Sequence, residues 1–411
     1  MPSGAAALFY FVGKKHGAVA TMAGINLKRH LLIATGLLVV AIVVVVLRYR
    51  DTFGVMLDNL RAMREGRALA ETLRSPQDLL AYLLDHPAQA SLVVFDVAAP
   101  DSGLYFQPEV ARPVAGLPRL LLLAGYAEAV AQGELDPDEP IARRTLDRYV
   151  LPSLGAQVHT HALSLLPDTG DTLPLRQVVQ LLLEGNDPAA HDYLLLRLGR
   201  ASLATLTERL GVPTLEPPLP LLGLFLSWHA MPALEGRPTE PFALTQAVVR
   251  DAPLHDALAT HLEQQGSGLS LWDQRDRAQA TYPRGTAQGY AALLRRIAAD
   301  SSAWGRHMRG YLERTLPDTL QTSLKVLAVE SGLFPGLVSV AAYARRHDRP
   351  GVRVAVLLME SVPMAVLYHL AQTRLEQGLV LQLLGDDAFF EQARGRLHPT
   401  APLAQATGMG R

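Results

Sequence analysis

The sequence predicts an α/β fold of the α+β kind, with an antiparallel sheet built from both ends of one domain, flanked by helices, and an all-helical lobe inserted between. Residues 91–97, SLVVFDV, form a short apolar run bounded by turn residues, and comparable runs return only at residues 325–329, 337–344 and 352–359. From Leu117 to about Ile297 the apolar spacing is helical instead. Strands, then helices, then strands is the order expected of a sheet closed from both ends.

Composition allows this architecture and excludes several functions. A chain of 411 residues that is 49% hydrophobic can bury one large core or two interleaved ones. Its formal charge of -1 gives no electrostatic reason to expect a nucleic-acid partner. With no cysteine there is no disulfide framework, thiol nucleophile or cysteine-based zinc site, which suits an oxidising compartment.

Taken in order, residues 1–30 read as an N-terminal tail, with Met22 as an alternative start. The run that begins at Leu31 and stops at Leu47, LLIATGLLVVAIVVVVL, has no charged residue and just reaches the minimum of about 17 needed to span a hydrocarbon core. Arg48, Tyr49 and Arg50 follow it in place of a small-residue cleavage site, so residues 31–47 are expected to be an uncleaved transmembrane anchor. Basic residues flank both ends, and the charge rule for orientation is therefore indecisive. Residues 48–74 read as a charged helical stalk. Ser75, Pro76 and Asp78 then supply a hydroxyl cap, a proline at the first helical position and an acid in the first turn. The main domain is expected over residues 75–381. Its last helix runs from Met364 to Leu375, and residues 382–411 are expected to be a C-terminal tail.

Three segments carry a resemblance. Phe106 to Leu135, FQPEVARPVAGLPRLLLLAGYAEAVAQGEL, resembles a segment in which a nucleophilic serine opens a long helix that ends in a glycine turn. Gly185 to Gly199, GNDPAAHDYLLLRLG, is similar to an SDN motif and its helix, and Ala328 to Gly336, AVESGLFPG, to a strand bearing a KTG motif. Over roughly residues 75–375 the chain thus resembles the penicillin-recognising serine hydrolases, most closely the class A β-lactamases. Thr286 to Ala298 is similar to a further family helix that carries no chemistry.

The resemblance assigns positions and this chain empties them. Gly116 stands at the serine and Arg119 at the lysine of the SxxK motif; Gly185, Asn186 and Asp187 stand at SDN; Glu330, Ser331 and Gly332 stand at KTG. An acyl-enzyme needs a hydroxyl at the helix start and a neighbouring base that can lose its proton. Gly116 has no side chain, and a guanidinium stays protonated where a desolvated lysine could be tuned toward neutrality. Glu330 puts a negative charge where the family's lysine attracts the substrate carboxylate. Beyond residue 28 the only lysine is Lys325, and its TSLK context enters a strand instead of opening a helix. Glu216 in LEPPLP is similar to the family's omega-loop glutamate, with a solvated loop acid as the plainer reading.

The resemblance therefore implies a membrane-anchored pseudoenzyme on the outer side of the cytoplasmic membrane, with a binding or scaffolding role toward a cell-wall component or envelope protein. No catalytic residue is assigned, and no cofactor or metal is expected. Arg119 and Glu330 are expected to converge as an ion pair that closes the former pocket, with Asp187 as its third member. A working hydrolase that recruits Ser331, Asp187 or Glu216 is the alternative. His159 and His161 alternate in HTH, where an extended segment would turn both to one side, and they read as structural, since no ligand sits at metal spacing nearby. Trp228, Trp272 and Trp304 read as packing residues.

Overall fold

The computed structural model describes residues 50–397, apart from 168–169, 230, 267, 314 and 317. The tail over residues 1–30 and the run from Leu31 to Leu47 lie outside the described residues, as do residues 398–411. Among the described residues no helix is long and apolar enough to cross a membrane. A compact unit begins at Gly54.

Helix α1 (Arg50–Arg64) leads into α2 (Pro76–Asp85), whose cap is as expected: Ser75 Oγ accepts from the Asp78 amide and Pro76 takes the first turn. The predicted stalk is only partly a stalk. Ala62 and Leu73 are fully or nearly fully buried, Asn59 Oδ1 accepts from the Leu271 amide at 2.7 Å, and Glu65 pairs with Arg275 at 2.9 Å. The second half of that segment docks on the domain through Ala62, Ala70 and Leu73, with the chain turning at Gly66, whose φ is 75°.

Strands β1 (Ala90–Asp96) and β2 (Ala99–Phe106) form a hairpin, and β3 (Leu324–Phe334), β4 (Leu337–Arg346) and β5 (Arg353–Met359) complete a five-stranded antiparallel sheet in the order β2-β1-β5-β4-β3. The sheet is thus closed from both chain ends, as the order of runs predicts. β1 and β5 read as unbroken apolar runs because both faces are covered: Val93, Phe95, Val354 and Val356 enter one core, while Leu92, Val94, Ala355 and Leu357 enter the other. β2 has no such signature. As an edge strand it carries Asp101 and Ser102 toward solvent, with Gly103 half-buried.

The inserted lobe is mainly helical but not all-helical as expected, since Pro140–Ala142 pairs with Thr172–Pro174 and Arg284–Gly285 with Arg112–Pro113 as short antiparallel strands. It comprises α3 (Arg119–Ala131), α4 (Ala156–Ser164), α5 (Leu175–Glu184), α6 (Pro188–Leu198), α7 (Arg200–Arg209), α8 (Leu221–Ser227), α9 (Pro241–Arg250), α10 (Ala252–Gln265) and α11 (Leu271–Thr281). α3 is its buried axis, since RLLLLAGYAEAVA is apolar around most of its circumference. α12 (Ala287–Ala299) packs on one face of the sheet, and α13 (Ala303–Leu312) extends the helical stretch beyond its predicted end. On the other face lie α14 (Met364–Thr373), α15 (Leu375–Gly385) and α16 (Asp387–Leu397).

Two expectations about this C-terminal part are corrected. The helix predicted from Met364 to Leu375 breaks at Arg374, whose φ of 55° is left-handed, and restarts as α15. Residues 382–397 are also not a tail. Phe389, Phe390, Ala393 and Leu397 are spaced to share one helical face, all are buried, and Asp387 pairs with Arg346 at 2.9 Å and Arg353 at 3.0 Å.

Candidate functional site

Between the lobe and the open edge of β3 runs a cleft of about 880 Å³, lined among others by Gly116, Arg119, Asn186, Asp187, Glu330, Ser331 and Gly332. Its placement follows from chain geometry. Gly116, at φ 76°, turns the backbone into α3; the GND turn joins α5 to α6; and Glu330, Ser331 and Gly332 sit on β3 in register with Ala341, Val340 and Ser339 of β4.

At the floor, Arg119 Nε stands 2.8 Å from Glu330 Oε2, an ion pair rather than a linear hydrogen bond. Arg119 is 8% and Glu330 3% exposed. Arg119 also donates from Nη1 to Asn186 Oδ1 and from Nη2 to the Ser331 carbonyl oxygen. The expected convergence is therefore present, but the pair does not close the pocket, because it lies at the floor and leaves the cleft above it open, and its third member is Asn186, not Asp187. The left-handed φ of 50° at Asn186 turns its amide toward Arg119.

Asp187 is fully buried and committed elsewhere. One carboxylate oxygen caps α6 by accepting from the Ala189 amide at 2.9 Å, and the other bonds His159 Nδ1 at 2.8 Å. His159 Nε2 meets Asp147 Oδ1 at 3.2 Å, so the imidazole bridges two carboxylates. Burial disfavours its charged form, but the hydrogen bonds and charges of Asp187 and Asp147 outweigh this, and its pKa is raised. His159 and His161 lie on helix α4, not on an extended segment; His159 is buried and His161 exposed.

Two residues predicted for the cleft are outside it. Gly185 faces α4, where a Cβ would lie 2.5 Å from Ala162 Cβ. Glu216 is exposed and paired with the backbone of Arg284, accepting from its amide at 2.8 Å while its own amide donates to the Arg284 carbonyl. The plainer loop reading of Glu216 holds. Ser331 Oγ accepts from Gln377 Nε2 at 2.9 Å.

No serine, cysteine, lysine or histidine stands at the start of α3. The arrangement can hold a backbone junction rigid and present a cleft, but it offers no activated nucleophile there. Sequence reasoning missed the Asp147–His159–Asp187 cluster and Asp192, which is fully buried and accepts from the Leu221 and Leu222 amides at 2.7 and 2.8 Å. The members come from separate helices and turns, so no local spacing marks them. Among the described residues no cluster of His, Asp and Glu is suited to a metal ion.

The family model described as the beta-lactamase enzyme family matches residues 76–325. Among solved structures, a β-lactamase from Sphaerobacter thermophilus DSM 20745 is 16% identical, covering 74% of this chain and 97% of that one with a TM-score of 0.47. A class A β-lactamase representing the last common ancestor of Gram-negative bacteria is 17% identical, covering 75% and 100%, with a TM-score of 0.46. The structure of PBP-A is 15% identical, covering 74% and 96%, with a TM-score of 0.43. No curated protein matches the chain.

Proposed function

We propose, from the premise that this chain belongs to the beta-lactamase enzyme family, that it is a catalytically inactive member retained as a binding or scaffolding module at the cell envelope. The observation that carries the reading is the floor of the cleft. Where the family mechanism needs a hydroxyl, a tunable lysine and a cation for the substrate carboxylate, this chain has Gly116, Arg119 and Glu330, the last two spent on each other at 2.8 Å. Residues of a catalytic unit act together, so their joint replacement weighs more than any single one.

The test is acylation by a fluorescent penicillin together with nitrocefin turnover. Neither covalent labelling nor hydrolysis above a denatured control is expected. A stoichiometric adduct on any serine would overturn the reading.

Anchoring through the run from Leu31 to Leu47, with residues 48–411 outside the cytoplasmic membrane, belongs to the same proposal and rests on that run's length and apolarity together with the family's extracytoplasmic habit. A cell-wall component or another envelope protein is the partner class this placement suits. Alkaline phosphatase fused after Arg411 should be active in cells; activity from a reporter that works only in the cytoplasm would reverse the orientation.

A further inference from the structure

The cleft is roomy and lined more by apolar than by polar surface. At about 880 Å³ it falls within the range of about 300 to 1,000 Å³ typical of small-molecule sites. Its walls are apolar: Leu154 and Val158 from the lobe, Leu219 and Phe225 from around α8, and Leu333 and Phe334 from β3 all line it and are all partly or fully exposed. Val158, on the lobe side, is the most exposed of these, at 44%.

The charged residues at the floor have little left to offer a ligand. Arg119 is tied to Glu330, Asn186 and Ser331, and Asp187 to His159 and its own helix cap. What remains lies at the rim. Arg374 lines the cleft at the α14–α15 junction, is exposed, and has no salt-bridge partner among the described residues. Gln377, one turn further on, holds that junction against β3 through Ser331. On the lobe side the exposed lining charge is an anion, Glu184, already hydrogen-bonded by Gln180. One rim is therefore positive and the other negative, with a hydrocarbon-lined trough between them.

We propose that this cleft binds a single-chain amphiphile, its acyl or prenyl chain against the apolar walls and its anionic head at Arg374. Charge complementarity selects the head and sets its direction, away from Glu184. Removal of the chain from water supplies the driving force. The inference deepens the reading of the protein as a binding module and rests on it.

The test uses the full-length protein in nanodiscs and diazirine-bearing probes with a sixteen-carbon chain, ending in a carboxylate, a phosphate or a trimethylammonium group. Adducts are mapped by mass spectrometry. The carboxylate and phosphate probes should label peptides carrying Phe225 or Phe334, and whichever labels more identifies a fatty acid or a lipid phosphate as the source. Arg374→Gly keeps the left-handed backbone while removing the charge, and should lower labelling by both anionic probes about threefold to tenfold without affecting the cationic one. Val158→Asp, on an exposed helical face, should lower labelling by all three. Absence of cleft adducts, or equal labelling by anionic and cationic probes, overturns the proposal. Absence of adducts with no penicillin-acylated serine would remove only the ligand, whereas an acylated serine would remove the inactive reading itself.

Discussion

Gly116 and Gly332 pack backbone against backbone. A Cβ added to Gly116 would lie 2.8 Å from Gly332 Cα, and one added to Gly332 would lie 2.1 Å from the Ala115 carbonyl oxygen. The volume in which a nucleophilic side chain would stand at the start of α3 is thus filled by the main chain of β3. Loss of the nucleophile is a property of the packing as well as of one residue.

Restoring the serine should therefore fail. Gly116→Ser combines a left-handed backbone with a steric clash, and is expected to destabilise the fold by roughly 2 to 4 kcal/mol. Urea unfolding would read the loss. Nitrocefin should remain intact even with Arg119→Lys added, because Glu330 still faces the site.

The Arg119–Glu330 pair is buried on both sides, so removing one partner strands a charge. Arg119→Ala and Glu330→Ala should each cost roughly 3 to 5 kcal/mol, while the double variant loses clearly less than their sum. Strict additivity in the cycle would mean that the two side chains do not interact in solution.

His159 gives the fold a pH dependence of known sign. Its folded pKa is raised, so the stabilisation from Asp187 and Asp147 is fully present below the unfolded value near 6.5 and is lost as pH rises through the folded value. Melting temperature should fall over that interval in the parent protein. His159→Gln should lower stability and flatten the slope; an unchanged slope would contradict the bridge.

Glu376 adds a pH dependence of the same sign from a different cause, an unpaired buried carboxyl. It is fully buried on α15 with neither carboxylate oxygen hydrogen-bonded, and burial raises its pKa above the usual 4.5 despite opposing contributions from its backbone and Arg374. A raised carboxyl pKa means that the unfolded chain releases the proton first, so stability falls as pH climbs from about 4.5 through the folded value. Glu376→Leu should stabilise the protein at pH 7 by about 1 to 3 kcal/mol and by less at pH 4. Stabilisation independent of pH would show that packing, not ionisation, is responsible.

How much of this was legible depended on whether the signal was local. The unbroken apolar runs of β1, β4 and β5 and the Ser75-Pro76-Asp78 start of α2 were readable because each depends on neighbours in sequence. β2 was not, since an edge strand with Asp101, Ser102 and Gly103 carries turn chemistry where a central strand carries none. The Arg119–Glu330 pairing came from the resemblance, through opposite charges at positions expected to converge. Choosing Asp187 over Asn186 as the third member went wrong because charge was weighed without backbone: a left-handed Asn186 faces the guanidinium, while Asp187 turns inward to His159. Gly185 and Glu216 were placed by motif alone, which carries no information about their packing: Gly185 lies against Ala162, and Glu216 is tied to the Arg284 backbone.

Closing the sheet from both ends also sets a timetable. β1 pairs with β5 from Ala90 with Met359 to Asp96 with Arg353, so the central pairing waits until nearly the whole domain has been made. At synthesis rates of about 5 to 20 residues per second, the run LVVF spends on the order of ten seconds or more with one edge unpaired. An apolar strand left open that long is a template for the wrong neighbour. The hairpin with β2 blocks one side of β1 from the start, and the polar residues that hid β2 from sequence reading make the outer side of that hairpin a poor place for another chain to add.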